Sequence, residues 1–549
     1  MELIVEDAEF VTMAAAGPAP EPAPGLPVRA MPVRAMLVRD GRIVAVGPAE
    51  AVRAAASPGA RVARLDGATV IPGLIDAHCH VCDVGYLASA ADCSQPSAPD
   101  IPAIQARLAE AAGRTPEGSW VTGGGYVEYK LRERRHPTRA DLDQAVPNRP
   151  AVVYHTSLHA CVLNTAALAE AGFADRQPDP PGGAFGRDRE GRLDGVVFEG
   201  PMFALFERNL RHDLTRMGAA QSARVVQMAG QRLAALGLTA ACEADMRRDS
   251  FGAFAEADEN GLLSQRIYGL VVHDQVDWLV AAELRGRRSG RLAAEAVKIW
   301  ADGGMSSRTA AIHGSYPVPP YGSGILYFER DELTEMVRDF DTRGFQVCIH
   351  AQGDRAIEIV LDAYAAVAAG TAGNPRRHRI EHGGAMYPRL AARAAALGIV
   401  VASQPGFMST LGDGFAAAFG DRSDELYAFG SWRRAGITVA GSSDAPVITA
   451  DPLLGLRDAV LRRTGDGLVL GPAERLPAGD ALDLYTTQAA FAMHREGEIG
   501  SLEPGKLADF VVLDRNPLRI DPERITDIRV LATVLDGAPV YQSQTIFTG

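Results

Sequence analysis

Val70-Ile71-Pro72-Gly73-Leu74-Ile75-Asp76-Ala77-His78-Cys79-His80 is a short apolar run that ends in two histidines one residue apart. Side chains alternate faces along a β-strand, so His78 and His80 project to one side and Cys79 to the other. Two imidazoles side by side at the end of a buried strand make half of a metal site. A bare His-x-His also arises by chance at strand ends. Its meaning is decided by the chain around it.

Downstream, short apolar runs alternate with Ala-, Arg- and Glu-rich segments of helical period. After 70–78 the runs are 151–155, 237–243, 267–272, 296–300, 346–350, 378–382, 398–403 and 437–443. Such alternation is the pattern of parallel strands joined by crossover helices, so the expected fold is α/β, a (β/α)8 TIM-like barrel. One run is too many and reads as a hairpin or an extra strand. Insertions account for the irregular part around 92–235.

Both ends of the chain read differently. Leu3-Ile4-Val5, Met36-Leu37-Val38 and Ile43-Val44-Ala45-Val46 are strand-like, with the hairpin signal Asp40-Gly41 between the last two. The Ala/Pro-rich segment 14–34, with its near-repeat Pro27-Val28-Arg29-Ala30-Met31 and Pro32-Val33-Arg34-Ala35-Met36, reads as a loose insertion at a hairpin tip. After a turn-rich stretch, Phe510-Val511-Val512-Leu513 and runs near 529–535 and 539–541 are again strands. The expected organisation pairs 1–69 with 496–549 in one small β-sandwich domain, beside a barrel of 70–495.

A chain of 549 residues has room for one large domain and a smaller one, and 47% hydrophobic with 22% charged residues is the balance of a soluble globular protein. A net charge of −13 argues against a nucleic-acid partner. No apolar run reaches the roughly 18–20 residues of a membrane span, so no membrane partner is expected. The acidic opening Met1-Glu2-Leu3-Ile4-Val5-Glu6-Asp7 does not read as a secretory leader, and the six cysteines are scattered. A reducing cytoplasm is the expected location. Nothing bears on oligomeric state beyond the general frequency of homodimers.

In a (β/α)8 barrel, residues at the C-terminal ends of the strands converge on one mouth. Ligand-type residues recur there: Lys298 in Ala296-Val297-Lys298-Ile299-Trp300, His350 closing Gln346-Val347-Cys348-Ile349-His350, His382 closing Arg379-Ile380-Glu381-His382, and Asp444 after Gly441-Ser442-Ser443. Each alone has an ordinary structural explanation; an Asp after Gly-Ser-Ser, for instance, often caps a helix. Four histidines, a lysine and an aspartate in this order are hard to obtain by chance.

This set, together with Pro137-Thr138-Arg139-Ala140-Asp141-Leu142-Asp143, Lys298-Ile299-Trp300-Ala301-Asp302-Gly303, Ser307-Arg308-Thr309 and Leu502-Glu503-Pro504-Gly505-Lys506-Leu507-Ala508-Asp509, resembles the metal-dependent amidohydrolase superfamily. The branch it is most similar to is amidohydrolase family 3, which includes N-substituted formamide deformylases. The resemblance implies two divalent metal ions, most often Zn2+. His78, His80 and Asp444 would hold the first and His350 and His382 the second, with a carboxylated Lys298 bridging both. A lysine ammonium has no lone pair, but a desolvated neutral amine can add carbon dioxide and become an anionic two-oxygen ligand. A single metal beside an unmodified Lys298 is the rival arrangement.

The implied reaction is hydrolysis of a carbon–nitrogen bond in a small non-peptide amide, such as an N-formyl or N-acyl amine. The metal would draw the pKa of its water from ~15.7 toward ~7, with Asp444 as general base and then acid. His159 and Arg308 match family positions near the mouth and are the further catalytic candidates. His159 sits in a Gly-His…Asn segment with Asn164, although Leu158 stands in place of the usual glycine. Glu199 also matches a family position, and Tyr126 and Trp300 are candidate pocket residues. Cys79 and Cys82 invite a zinc-thiolate reading that strand alternation opposes for Cys79. Other readings from the same fold are a mononuclear deaminase of a heterocycle, a lyase or isomerase, and a scaffold that has lost its ligands. The deaminases carry a Glu three residues after the strand-five His; here His350 is followed by Ala351-Gln352-Gly353.

Overall fold

In the computed structural model, which describes residues 2–14, 34–285, 290–316, 322–368 and 373–547, eight parallel strands form one sheet. They are β1 (Leu74–Cys79), β2 (Leu238–Met246), β3 (Arg266–Val272), β4 (Leu292–Trp300), β5 (Gln346–Ala351), β6 (Arg379–His382), β7 (Val400–Ser403) and β8 (Thr438–Gly441). Each pairs with its neighbours in chain order, and helices pack outside. β1 and β8 meet just beyond their ends. The Asp444 N–H donates to His78 O and the His80 N–H to Ala445 O, both at 2.8 Å. Deeper in the seam, the Ser443 N–H and hydroxyl donate to Asp76 at 3.1 and 2.5 Å. The barrel therefore closes through the residues that carry the metal-ligand pattern.

The run 70–80 is two strands of two different sheets. Thr69–Pro72 pairs antiparallel with Phe510–Leu513, and β1 starts only after Gly73. A side chain at 73 is excluded, because a Cβ there would lie 2.1 Å from Thr239 Oγ1. Both pieces are buried throughout, so their hydrophobicity reads as one run.

Thr69–Pro72 belongs to a five-stranded sheet with Glu9–Phe10, Phe510–Leu513, Val530–Leu535 and Ala538–Gln542. A four-stranded sheet of Glu2–Glu6, Ala35–Arg39, Arg42–Gly47 and Arg61–Arg64 faces it. Val5, Met36 and Val38 from one sheet share a core with Val70, Phe510 and Val534 from the other, which makes a sandwich built from both ends of the chain. The Asp40-Gly41 turn has positive φ at both residues, 49° and 78°, as a type I′ hairpin requires. The Ala/Pro-rich segment lies, at 15–33, outside the described residues.

The surplus apolar run is 151–155. Ala151–His155 forms an antiparallel hairpin with Ala160–Leu163 inside a separate six-stranded sheet, completed by Ala91–Asp92, Val121–Tyr126, Gly183–Arg187 and Leu193–Glu199. This sheet is inserted between β1 and β2, and it brings His159 over the barrel mouth.

Candidate metal centre

A pocket at the C-terminal end of the barrel collects His78, His80, Lys298, His350, His382 and Asp444. His78 Nε2 and His80 Nε2 lie 3.3 and 3.2 Å from Asp444 Oδ1. That is long for a hydrogen bond but close to the roughly 3.3–3.4 Å between ligand atoms of a tetrahedral ion with bonds of about 2.0–2.1 Å. Ligand atoms of these three residues all fall within 4.8 Å of one another. The His350 and His382 rings are 4.6 Å apart, and the His382 ring is 4.7 Å from that of His78. Lys298 Nζ, fully buried, stands 3.3 Å from His78 Nε2 and 5.0 Å from the Trp300 ring.

Partners behind the rings set which nitrogen is free. His78 Nδ1–H donates to Glu381 Oε2 at 2.5 Å, His382 Nδ1–H to Gln404 Oε1 at 2.9 Å, and His350 Nε2–H to Gly303 O at 3.2 Å. Each bond leaves the opposite nitrogen as a lone pair, the arrangement by which outer partners prepare a metal-ligating histidine. His382 Nε2 is buried without a hydrogen-bond partner among the described residues. An orphaned buried acceptor of this kind calls for a group to fill it. Burial pushes His350 well below the ordinary imidazole range and His382 to about 3, so both rings are neutral. Burial also lowers Lys298 against the pull of Glu381 and Asp444, favouring the free amine. For Asp444 burial acts upward, but His78 and His80 outweigh it and hold the carboxyl well below its usual range. The donor set fits divalent metal.

Two of the candidate ligands sit on left-handed backbone, His382 at φ 72° and Asp444 at φ 60°. Non-glycine residues there are strained, and such strain clusters at functional sites. The turn at His382 also explains how adjacent residues of β6 both serve the centre. Glu381, one position earlier, stays in the strand and reaches His78 from below. Arg379 grips Glu381 with Nε at 2.6 Å and Nη2 at 2.8 Å, and that same Nη2 donates to Ala77 O. Sequence reading missed Glu381 because alternation sends it away from His382. The signal was there in Arg379-Ile380-Glu381, two charges at the spacing of one strand face.

The remaining candidates separate. His159 lines the pocket, with its ring 5.3 Å from that of His350. Its Nδ1–H donates to Glu199 Oε2 at 2.7 Å, and Glu199 also accepts from Thr309 and Tyr327. Burial acts to lower His159, but Glu199 reverses this and raises it. Leu158 has φ 53°, the left-handed conformation a glycine would adopt freely. Trp300 lines the pocket. Arg308 stands back from it, its Nη2 3.5 Å from Glu128 Oε1. From there, His155 Nε2–H donates to Glu128 at 3.0 Å, the Ser157 hydroxyl meets His155 Nδ1 at 2.8 Å, and the His159 N–H donates to Ser157 Oγ at 3.1 Å. Asn164 caps the helix Thr165–Glu170 and bonds the backbone of Val146, Arg149 and Ala151. Tyr126 packs inside the inserted sheet with its hydroxyl on His136. Burial raises the Cys79 and Cys82 thiols well above their ordinary range, so neither presents a thiolate. Asp302, another residue whose role the sequence hid, accepts N–H groups of Ala311, Gln352 and Gly353 at 2.8–2.9 Å and ties the loops after β4 and β5 together.

Glu381→Gln should weaken metal binding about 10–100-fold, the usual effect of removing an outer partner of a ligating histidine. Chelator competition measures it, and affinity equal to the parent would show that Glu381 does not hold His78.

Residues 61–541 match the amidohydrolase family, nearly the whole chain. The chain belongs to that family. It is a metal-dependent hydrolase acting on carbon–nitrogen bonds. Residues 35–56 also match an imidazolonepropionase-like composite domain of bacteria. The chain is 32% identical to the N-substituted formamide deformylase of Arthrobacter pascens over 92% of its length and 94% of that protein. It is 30% identical to the putative amidohydrolase YtcJ of Bacillus subtilis (strain 168), covering 92% of this chain and 95% of the relative. Among solved structures, an uncharacterized metal-dependent hydrolase from Pyrococcus horikoshii OT3 superposes with a TM-score of 0.75 at 23% identity, over 95% of this chain and 99% of that one, a likeness of fold.

Proposed function

We propose that this amidohydrolase cleaves the amide of a small N-formyl or N-acyl amine at a centre of two divalent ions, zinc by donor preference. His78, His80 and Asp444 would hold one ion, His350 and His382 the other, and a carboxylated Lys298 both. The observation that carries this reading is the convergence of prepared imidazole lone pairs and one carboxylate around a buried, deprotonation-prone lysine. Addition of carbon dioxide to that amine would form one N–C bond at the expense of one C=O π bond and one N–H bond, releasing a proton and leaving an anionic carbamate on Lys298. Divalent ions held there would supply acidification of a water and polarisation of an amide carbonyl.

The protein's own groups do the rest. Asp444 takes a proton from the attacking water and passes it to the departing amine. His159, protonated against Glu199, donates a hydrogen bond to the carbonyl oxygen as negative charge develops there. Arg308 acts at one remove, anchoring the His159 loop through Glu128, His155 and Ser157. The deaminase reading loses support at Gly353: a Cβ there would lie 1.9 Å from Ala311 O, so no glutamate fits. A cytoplasmic site of action is supported by six buried, unpaired cysteine thiols.

Elemental analysis of protein purified without chelator, paired with intact mass in native buffer, tests the centre. Two metal equivalents and the added mass of one carbon dioxide, the latter lost in Lys298→Ala, are expected. One metal and an unmodified lysine would replace the bridged centre by a mononuclear one.

A further inference from the structure

The metal pocket continues past its ligands. Asp83, Asp245, Phe203 and Phe206 line both it and a second chamber beside His80. The chamber holds four carboxylates, Asp83, Asp245, Glu207 and Asp249, against two guanidinium groups, Arg211 and Arg247. Both arginines are already engaged. Arg247 pairs with Glu207 and Asp245, each at 2.9 Å, and Arg211 pairs with Glu207 at 2.5 Å and Asp249 at 2.9 Å. Asp83 is left over. Its side chain is only 9% exposed, it has no hydrogen-bond donor among the described residues, and it stands 3.7 Å from His80 Nδ1. A buried carboxylate without a donor is costly unless something pairs with it.

We propose that this chamber is a subsite for a cationic group carried by the substrate, an ammonium or guanidinium at the far end of the amine portion. The substrate class is then the mono-N-acylated diamine or a similarly basic amide, with its acyl carbon at the metal centre and its charged end against Asp83 and Asp245. The chemistry of the walls agrees. Two carboxylates meet the charge, and the rings of Phe203 and Phe206 offer the negative faces that attract ammonium and guanidinium ions. A neutral alkyl or aryl amide of equal length would leave Asp83 unpaired and gain only apolar contact. The surplus of carboxyl over guanidinium groups lining the chamber also disfavours substrates ending in a carboxylate.

This inference rests on the amide-hydrolase reading above, and the test separates the two. First, kcat/KM is compared for N-formyl-1,5-diaminopentane and N-hexylformamide, which match in length and differ in terminal charge. The expected preference for the cationic amide is at least 10-fold, falling toward unity in Asp83→Asn and in Asp245→Asn. Second, binding of 1,5-diaminopentane and hexylamine to the holoenzyme is compared by calorimetry, a readout that needs no turnover. The diamine is expected to bind at least 10-fold more tightly. Hydrolysis of both amides without charge preference overturns the subsite and leaves the amidase reading intact. Tighter diamine binding with neither amide cleaved supports the subsite and counts against the amidase reading. If Asp83 serves only to orient His80, Asp83→Asn changes metal affinity while the charge preference survives, and this too overturns the proposal. The parent enzyme's two ratios decide the matter should either variant fail to fold.

Discussion

Asp444→Asn is expected to lower kcat by roughly 10²–10⁴-fold at saturating metal, the range for removing a positioned general base. The substitution is close to isosteric, and asparagine tolerates left-handed backbone as well as aspartate does. The N–H of residue 444 still donates to His78 O, so the seam between β1 and β8 keeps that bond. What disappears is the charge 3.2–3.3 Å from His78 and His80, and with it both the proposed proton acceptor and the proposed anionic ligand. Metal affinity falls as well, so the assay must titrate metal until the rate no longer rises. A rate within a few-fold of the parent under those conditions would remove Asp444 from the chemistry.

Asp509→Ala should destabilise the protein by about 3 kcal/mol, the low end of what breaking a buried ion pair costs. Arg266 on β3 places its guanidinium fork on Asp509 at 2.7 and 3.0 Å, and Arg266 is 9% exposed at the side chain. Asp509 accepts in addition from the Asp536 N–H at 3.0 Å, while its own carbonyl accepts from the Gly73 N–H. One residue thus joins barrel, sandwich and the Gly73 junction between them. Asp536 still pairs with Arg266 in the variant, which keeps the loss at the low end. A lower urea midpoint with unchanged slope is the expected result. Arg266→Met combined with Asp509→Leu should recover part of the loss, since a packed apolar pair avoids desolvating charge. An unshifted midpoint in Asp509→Ala would mean the clamp contributes nothing.

The barrel was legible because its strands alternate with helices along the chain, and alternation survives in a linear string. The cluster at its mouth was legible because ligand-type residues end several of those strands. Glu381 was hidden for a geometric reason: its use depends on the left-handed turn at His382, which period-two reasoning does not contain. The run at 151–155 has the composition of a barrel strand, and only its pairing with 121–126 and 160–163 assigns it to the inserted sheet. The run 70–80 held two strands because burial on both faces erases the boundary at Gly73. The chamber beside His80 was beyond reach for another reason: Asp83, Phe203 and Asp245 come from three distant segments joined only by the fold.

The sandwich has a consequence for how the chain is made. Thr69–Pro72 finds its antiparallel partner in Phe510–Leu513, more than four hundred residues later. At about 5–20 residues per second, the first strands leave the ribosome tens of seconds before their partners exist. During that interval Val70 and Ile71, wholly buried in the finished protein, present an unpaired apolar edge. The barrel can nucleate while synthesis continues, but the small domain at its side is the last part to be completed. A nascent chain halted before Phe510 is therefore the form most in need of a chaperone.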